Sequence, residues 1–515
     1  MYSKNLNKFR ILFLIASLML LIFTANYFLK RETNECIGIK FLNDDNFYSD
    51  YNYEYKDLSQ EIIFDGEMAP VDINSSTIYL PQKINKETNI SNLSGALACT
   101  NNKYNLYFAN DNQFEDLNNA VANGHEFKLY IMTSQSTYMI YNVVFTTLPV
   151  MRINGEYSYE DIENRPIMSG EMCLWPSNFF NDNPQCVKKS KLEWRIRGQS
   201  SSLYEKKPWK LNLKMKSGDN NKVDLLNIGK DDDWILNPMS MDDLKIREKL
   251  FMDLWNLIQE EYGYSPRMST GEYIELVLNG KYHGLYLLQK KIDQNYLNLN
   301  GNDICFNGKQ APAASEINNN FEIVYSPFDD IYTNEILQNV WNNFDSNNVD
   351  IENLIDTYLF LQFASASDNC EYKNMYYILQ CKNNDYSLAT IPWDTDVSFG
   401  LIWDQDFVYD LERSLNLNLI RPEMNCLIKN SPNVVSMIKK RWMELSSDIL
   451  SKNYVLNEAD ELYNQIKASG SLEREIKNWG LRYENDNYKN FLQFINYRFA
   501  YLDDLFMNDC NFGEK

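Results

Sequence analysis

RIRGQSSSLYEKKPWKLNLK, residues 195–214, is the stretch on which the fold turns. Within it and just before it, EWRIRG (193–198) and WKLNLKM (209–215) read as two strands, joined by the polar segment QSSSLYEKKP. After DLLNIGKDDDWIL (224–236) an amphipathic helix is predicted from about Asp243 to Glu261, with Leu244, Leu250, Leu254, Leu257 and Ile258 on one side. Asp242 or Asp243 can cap it and Gly263 stops it. Strands on either side of a single helix, followed by helices, predict an α+β domain.

Working outward toward the C-terminus, EYIELVLNGKYHGLYLLQKKI (272–292) predicts a hairpin turning at Asn279-Gly280, a dipeptide suited to two consecutive residues of positive φ. Residues 293 to about 330 are Asn-rich and poor in apolar side chains, which predicts a loop. IENLIDTYLFLQFASA (351–366) puts Ile351, Leu354, Ile355, Tyr358, Leu359 and Phe363 on one helical face. NMYYILQ (374–380) and SLATIPW (387–393) flank CKNNDY as a buried hairpin, with Asp394-Thr395-Asp396 just past its second strand. Residues 423–508 read as mostly helical.

Toward the N-terminus, residues 36–148 carry short β segments separated by Asn, Asp, Gly and Ser clusters, the pattern of a small β-sandwich. Ahead of them, 19 residues between Arg10 and Lys30 hold no formal charge. As a helix they would reach roughly 28 Å, near the thickness of a hydrocarbon core. Lys4, Lys8 and Arg10 precede the run, which predicts a single-pass signal-anchor with its N-terminus cytoplasmic and the body extracytoplasmic. The competing reading is a cleaved signal peptide and a secreted or cell-surface protein. The expected organisation is an anchor at 1–32, a β-rich domain at 36–148 and a larger domain at 149–510.

The chain of 515 residues has a net charge of −22, which argues against nucleic acid as a partner, because phosphates attract a surplus of Lys and Arg. Two histidines, nine scattered cysteines and no CxxC argue against a structural zinc site and lower the prospect of a histidine-based triad. Cys370 and Cys381 are placed to bridge the hairpin, although unpaired apolar thiols are the simpler expectation. The chemistry is therefore expected to run on carboxylates and lysines.

Phosphoryl transfer needs such groups: a lysine for the phosphates, carboxylates for Mg²⁺ and a carboxylate to orient the attacking hydroxyl. Asp368 with Asn374 six residues on, then Asp394 and Asp396, offers hard oxygen ligands. As bare patterns these are weak, since Asp404-Gln405-Asp406 repeats the DxD spacing by composition alone. In PWDTDVSFG, Trp393 and Phe399 place the carboxylates beside a packed core, where charge is costly unless a cation balances it.

RIRGQSSSLYEKKPWKLNLK, DLLNIGKDDDWIL, LVLNGKYHGLYLLQKKI and IPWDTDVSFG, in this order, resemble successive signatures of the spore coat protein H (CotH) kinase family over roughly 190–400. The resemblance implies an atypical protein-kinase-like, two-lobed domain with a β-rich N-lobe and a helical C-lobe. It implies ATP and Mg²⁺ as cofactors and Ser or Thr of surface or coat proteins as acceptors. Carried onto this sequence, Lys207 and Lys210 are the candidate phosphate contacts, and alternation along a strand leaves open which of them reaches the nucleotide. Arg197, Ser200 and Ser201 match the turn over the phosphates. Asp368 corresponds to the catalytic-loop aspartate, Asn374 to its metal-binding asparagine, and Asp394 and Asp396 to the metal-binding aspartates. Arg247 and Glu248 fit the helix that lends kinases a glutamate for the lysine. Gln289 stands where the family pattern has a glutamate that helps hold nucleotide or lysine. The missing charge keeps a non-catalytic, pseudokinase scaffold open beside the kinase. A third reading takes Asp394 and Asp396 as the paired carboxylates of a carbohydrate-active surface protein.

Overall fold

The computed structural model describes residues 40–42, 52–81, 97–101, 103–109, 117–156, 164–177, 187–198, 200–262, 268–309, 320–344, 348–369, 372–403, 407–409, 422–431, 433–480 and 486–508. The expected anchor at 1–32, Gly263, Cys370 and Asp404-Gln405-Asp406 lie outside the described residues. Among the described residues no helix is long and apolar enough to cross a membrane.

The signature strands close into a seven-stranded barrel. Its strands are β1 (Val150–Gly155), β2 (Met168–Trp175), β3 (Lys188–Ile196), β4 (Trp209–Lys214), β5 (Asp233–Asn237), β6 (Gly271–Leu278) and β7 (Lys281–Lys290). They run in the order β1-β2-β3-β4-β5-β7-β6, and a parallel β1–β6 pair closes the ring. Period-two alternation explains the filling. Leu192, Trp194 and Ile196 on β3, Trp209, Leu211 and Leu213 on β4, and Trp234 and Leu236 on β5 share the interior. Arg195 pairs with Lys210 and Ile196 with Trp209 across β3 and β4, so the intervening cations stand on the outer face. The β6–β7 turn is as expected: Asn279 (φ 48°) and Gly280 (φ 71°) both take positive φ.

Side chains of the other parity, among them Ile235, Tyr273, Leu285 and Leu287, face away from the barrel and join a second, larger core. Against them packs α1 (Arg247–Tyr262), which begins four residues later than the apolar pattern suggests. Asp242 is the reason. Its carboxylate accepts the Leu244 N–H at 3.0 Å and the Arg247 N–H at 2.7 Å, which folds 243–246 into a capping turn.

Residues 293–330 differ from expectation. They contain β8 (Ile304–Gly308) and β9 (Phe321–Tyr325) as well as the short helix Gln294–Leu297. With β10 (Met375–Lys382) and β11 (Asp385–Pro392) these strands form an antiparallel sheet in the order β9-β8-β10-β11. The apolar residues are few but concentrated: Ile304, Cys305, Phe306 and Phe321 are buried, and pairing with the distant β10 supplies what local composition lacks. The helical remainder comprises α2 (Asp330–Asn342), α3 (Ile351–Ala364), α4 (Pro422–Asn430), α5 (Val434–Ser446), α6 (Lys452–Ala468), α7 (Ser471–Trp479) and α8 (Asn487–Asp503). Cys99, Cys173, Cys305, Cys381 and Cys426 are free thiols.

Ahead of the barrel, a seven-stranded mixed sheet and a three-stranded sheet share one core. They are joined by a helix, Leu117–Ala122, that the sequence reading lacked. This module docks on the β6–β7 hairpin. The Tyr79 and Tyr282 rings stack at 4.0 Å, the Ile73 N–H donates to Gly280 O at 2.8 Å, and the Tyr282 N–H donates to Asp72 at 2.9 Å.

From the other end of the chain, α7 drives two charges into the barrel wall. Arg474 forks onto Glu275 of β6 at 2.5 and 3.0 Å, and both side chains are buried. Glu475 receives the buried Lys206 ammonium at 2.7 Å on each oxygen and the Leu285 N–H at 2.6 Å. Gly284 permits this approach, since a Cβ there would lie 2.0 Å from Glu475 Oε1. Removing one partner of such a pair leaves an uncompensated buried charge. Arg474→Met is therefore expected to lower the unfolding free energy by about 3–5 kcal/mol in urea titration. The double variant Arg474→Met/Glu275→Met should recover most of that loss.

Candidate active site

Two chain reversals bring the acidic residues together. At the end of α3, Ser365 turns left-handed (φ 49°) and leads the chain through 366–374 into β10. The β10–β11 hairpin then returns it, turning at Asn383 (φ 55°) and Asn384 (φ 70°). Asn369 ties the two ends, its amide donating to Asn374 O at 2.8 Å and to Trp393 O at 2.9 Å, while the Trp393 N–H donates to Asn374 O at 3.0 Å. Asp368 and Asp394 therefore share one end of the sheet. The Asp368 carboxylate accepts from Asn374 Nδ2 at 2.9 Å and forms an ion pair with Lys373.

The Asp394–Asp396 segment is pinned from outside. Asp394 is left-handed (φ 55°), a conformation an aspartate tolerates but does not favour. Glu248 of α1 accepts the Thr395 N–H at 2.6 Å and the Thr395 hydroxyl at 2.9 Å through one oxygen. The Phe399 N–H donates to Ala364 O at 2.6 Å and fixes the far end of the segment to α3. Arg197 lies 5.5 Å from the Trp393 ring, at the end of β3 beside this cluster.

The electrostatics are those of carboxylates crowded together. Asp394 reaches solvent and Asp396 is half-buried, yet protein surrounds both on their other sides. Burial raises the Asp394 pKa, opposed by Arg197, raised further by Asp368 and opposed again by Lys373. Burial holds Asp396 well above the ordinary carboxylate range, and Asp394, Glu248, Asp242 and Asp368 push the same way. Burial and then Asp394 raise Glu248 to about 7, against the two Thr395 hydrogen bonds and Arg197. The second oxygen of Glu248 is buried with no hydrogen-bond partner among the described residues.

The remaining candidates are more dispersed. Gly198 (φ 79°) opens the turn after β3, and a Cβ there would lie 2.0 Å from Ser201 Oγ. Ser200 is exposed and Ser201 half-buried in the following 3-10 turn, Ser200–Leu203. Lys207 is buried and donates to Ser202 O at 2.9 Å, inside its own turn. Lys210 stands on the outer barrel face, 3.3 Å from Asp233. It lies opposite Arg195, which is two residues and so roughly 7 Å along β3 from Arg197. Lys210 lines a cavity of about 340 Å³ with Arg195, Asn212, Lys214 and Asp233, and none of the acidic cluster contributes to that cavity. Gln289 is fully buried, with neither amide atom hydrogen-bonded among the described residues.

Two expectations need correction. Glu248 does not hold a lysine; it holds Thr395, because α1 meets the segment after β11 rather than the lysine-bearing strand. Arg247 pairs with Asp242 and Asp243. Lys373 and Lys206 escaped the sequence reading. Lys373 directly precedes Asn374, and that adjacency was the available signal; the partner of Lys206 lies 269 residues away and left none.

Among the described residues no three His, Cys, Asp or Glu side chains already form a metal-binding group. Mg²⁺ needs no such cage, since it keeps several waters and takes one or two carboxylates plus substrate phosphates. The orphaned Glu248 oxygen and the like-charged Asp394–Asp396 pair suit a divalent cation.

A family model described as CotH kinase protein matches residues 194–502. The chain belongs to the CotH kinase family. No curated protein matches it. The CotH match opens inside β3 and runs to the end of α8, so it takes in the turn with Arg197, all of α1, and the segments holding Asp368 and Asp394. It leaves β1 and β2 outside, although the CotH barrel is closed only when β1 pairs with β6.

Glu248 yields a pH prediction. Its folded pKa is raised, so between about 4.5 and about 7 the native state binds more protons than the unfolded state and stability falls as pH rises. Glu248→Gln keeps an acceptor for Thr395 and removes that dependence. The difference in unfolding free energy between pH 5 and pH 8 should shrink by at most about 3 kcal/mol, measured in urea at both values.

Proposed function

We propose that this CotH-family chain is an ATP-dependent protein kinase that transfers the γ-phosphate to Ser or Thr of surface or coat proteins. The observation that carries the reading is the convergence of Asp368, Asn374, Asp394 and Asp396 beside Arg197 and Lys373. The 19-residue uncharged run supports a membrane-anchored kinase with an extracytoplasmic body.

Each side chain has a task that follows from its neighbours. Asp368 is held by Lys373 and Asn374 but retains lone pairs for a third donor, so it can orient a seryl or threonyl hydroxyl and take its proton. Asn374, Asp394 and Asp396 would hold Mg²⁺, with Asp394 the principal ligand, and bound Mg²⁺ would supply charge neutralisation to the phosphate oxygens. Arg197 and Lys373 add positive charge on the same side and offset the charge of the transferring group. Glu248 positions the segment through Thr395. Of the two lysine candidates, Lys207 is engaged within its own turn, and Lys210 pairs with Asp233 on the outer face it shares with Arg195.

The test is transfer from labelled ATP with Mg²⁺ to a Ser/Thr-rich surface protein by the full chain. Asp394→Ala and Asp368→Asn are each expected to lower incorporation at least about 100-fold, in keeping with the loss of a charge-stabilising or proton-accepting group. Equal label from wild type and Asp394→Ala ends the catalytic reading. Saturating ATP and Mg²⁺ at 100 times the dissociation constant should stabilise the wild type by about 2.7 kcal/mol. The buried, unpartnered Gln289 favours the scaffold reading instead, and absence of any nucleotide-induced stabilisation would select it.

A further inference from the structure

Arg152, on the outer face of β1, is 4% exposed. It forms no hydrogen bond or ion pair with any described residue; its close contact is the Trp175 ring at 5.9 Å. Its Nε is the nitrogen buried without a partner, and an unmet N–H on a charged guanidinium is costly. Burial accordingly lowers its pKa. The acids that act on it, Glu171 and Glu67, are drawn off by surface lysines: Glu171 pairs with Lys191 at 3.2 Å and Glu67 with Lys189 at 2.6 Å.

Arg152 lines a cavity of about 220 Å³ at the junction of the N-terminal module and the barrel. Ser59 lines it from the other side, 5% exposed, with a buried hydroxyl that also lacks a partner. The polar remainder of the lining is amide: Gln60, Asn154 and Asn279. The Asn279 carbonyl accepts the Gly155 N–H at 2.8 Å, which leaves its amide nitrogen to donate elsewhere. Among the described residues no carboxylate contributes to this lining, in a chain of net charge −22.

We infer that this junction is a binding site for a compact oxyanion, a phosphoryl or carboxyl group held by Arg152 with Ser59 and the side-chain amides. A guanidinium flanked by neutral donors matches such a group, and the volume admits a phosphoseryl side chain but not a nucleotide. Because the cavity takes walls from both the module and the barrel, a bound anion would tighten the docking of one on the other. The site is separate from the acidic cluster and stands whether or not the chain is a kinase.

The experiment is titration of the full chain with inorganic phosphate, O-phosphoserine and acetate, followed by calorimetry and thermal melting without nucleotide. An Arg197→Gln background removes phosphate bound at the candidate active site. In that background, phosphate and phosphoserine are expected to bind with millimolar or better affinity and to raise the melting temperature. Arg152→Gln should weaken both at least tenfold, and Ser59→Ala a few-fold. Acetate binding equally well would make this a site for either oxyanion; acetate failing would assign it to phosphoryl groups. The inference is overturned if Arg152→Gln titrates like its parent, or if none of the three anions binds below about 10 mM. Folding of Arg152→Gln is checked by its melting temperature without anion, which should equal or exceed the parent value, because a buried unpaired charge has been removed.

Discussion

One oxygen of Glu248 accepts both the amide and the hydroxyl of Thr395, and the rest of the site is arranged around that contact. A left-handed aspartate between a strand and a loop has no regular structure to hold it. The helix provides that hold from the side, at the cost of burying a carboxylate next to two others. The same contact joins the barrel to the second sheet: α1 packs on the outer wall of the barrel, and Thr395 lies just past β11 of the β9-β8-β10-β11 sheet. Movement of α1 would therefore carry the Asp394–Asp396 segment with it.

Charge is treated differently elsewhere in the molecule. Arg474 with Glu275 and Lys206 with Glu475 are buried ions with matched partners, and the half-buried Arg441 forks onto the buried Asp356 at 2.6 and 3.0 Å. Asp394, Asp396 and Glu248 are neighbours of one sign, with Arg197 and Lys373 at the margin. Folding gains nothing from gathering like charges, and it is this unmatched cluster that the proposed Mg²⁺ would neutralise.

Much of this was legible along the chain. The β6–β7 hairpin announced itself through Asn279-Gly280, where positive φ is a local demand, and the β10–β11 hairpin through two apolar runs flanking CKNNDY. Asp368, Asn374 and Asp394 could be grouped because the hairpin between them has a readable period. What stayed hidden depends on pairing at long range. β8 and β9 sit in Asn-rich sequence and exist through each other and through β10. The choice between Lys207 and Lys210 was read as one of strand phase, whereas β4 begins only at Trp209 and Lys207 belongs to the turn before it. Glu248 was visible, but its partner was not: nothing local indicates that a helix at 247–262 will reach a threonine at 395.

The position of α7 has a consequence for how the chain must be completed. All seven barrel strands have been made by residue 290, yet Lys206 and Glu275 find their counter-ions at 475 and 474. A nascent chain that has emerged only to the end of β7 holds every hydrogen-bonded neighbour of the ring and two unneutralised ions in its wall. Such a ring remains provisional until Arg474 and Glu475 arrive, so a truncation that removes them would be felt first in the strands made long before it.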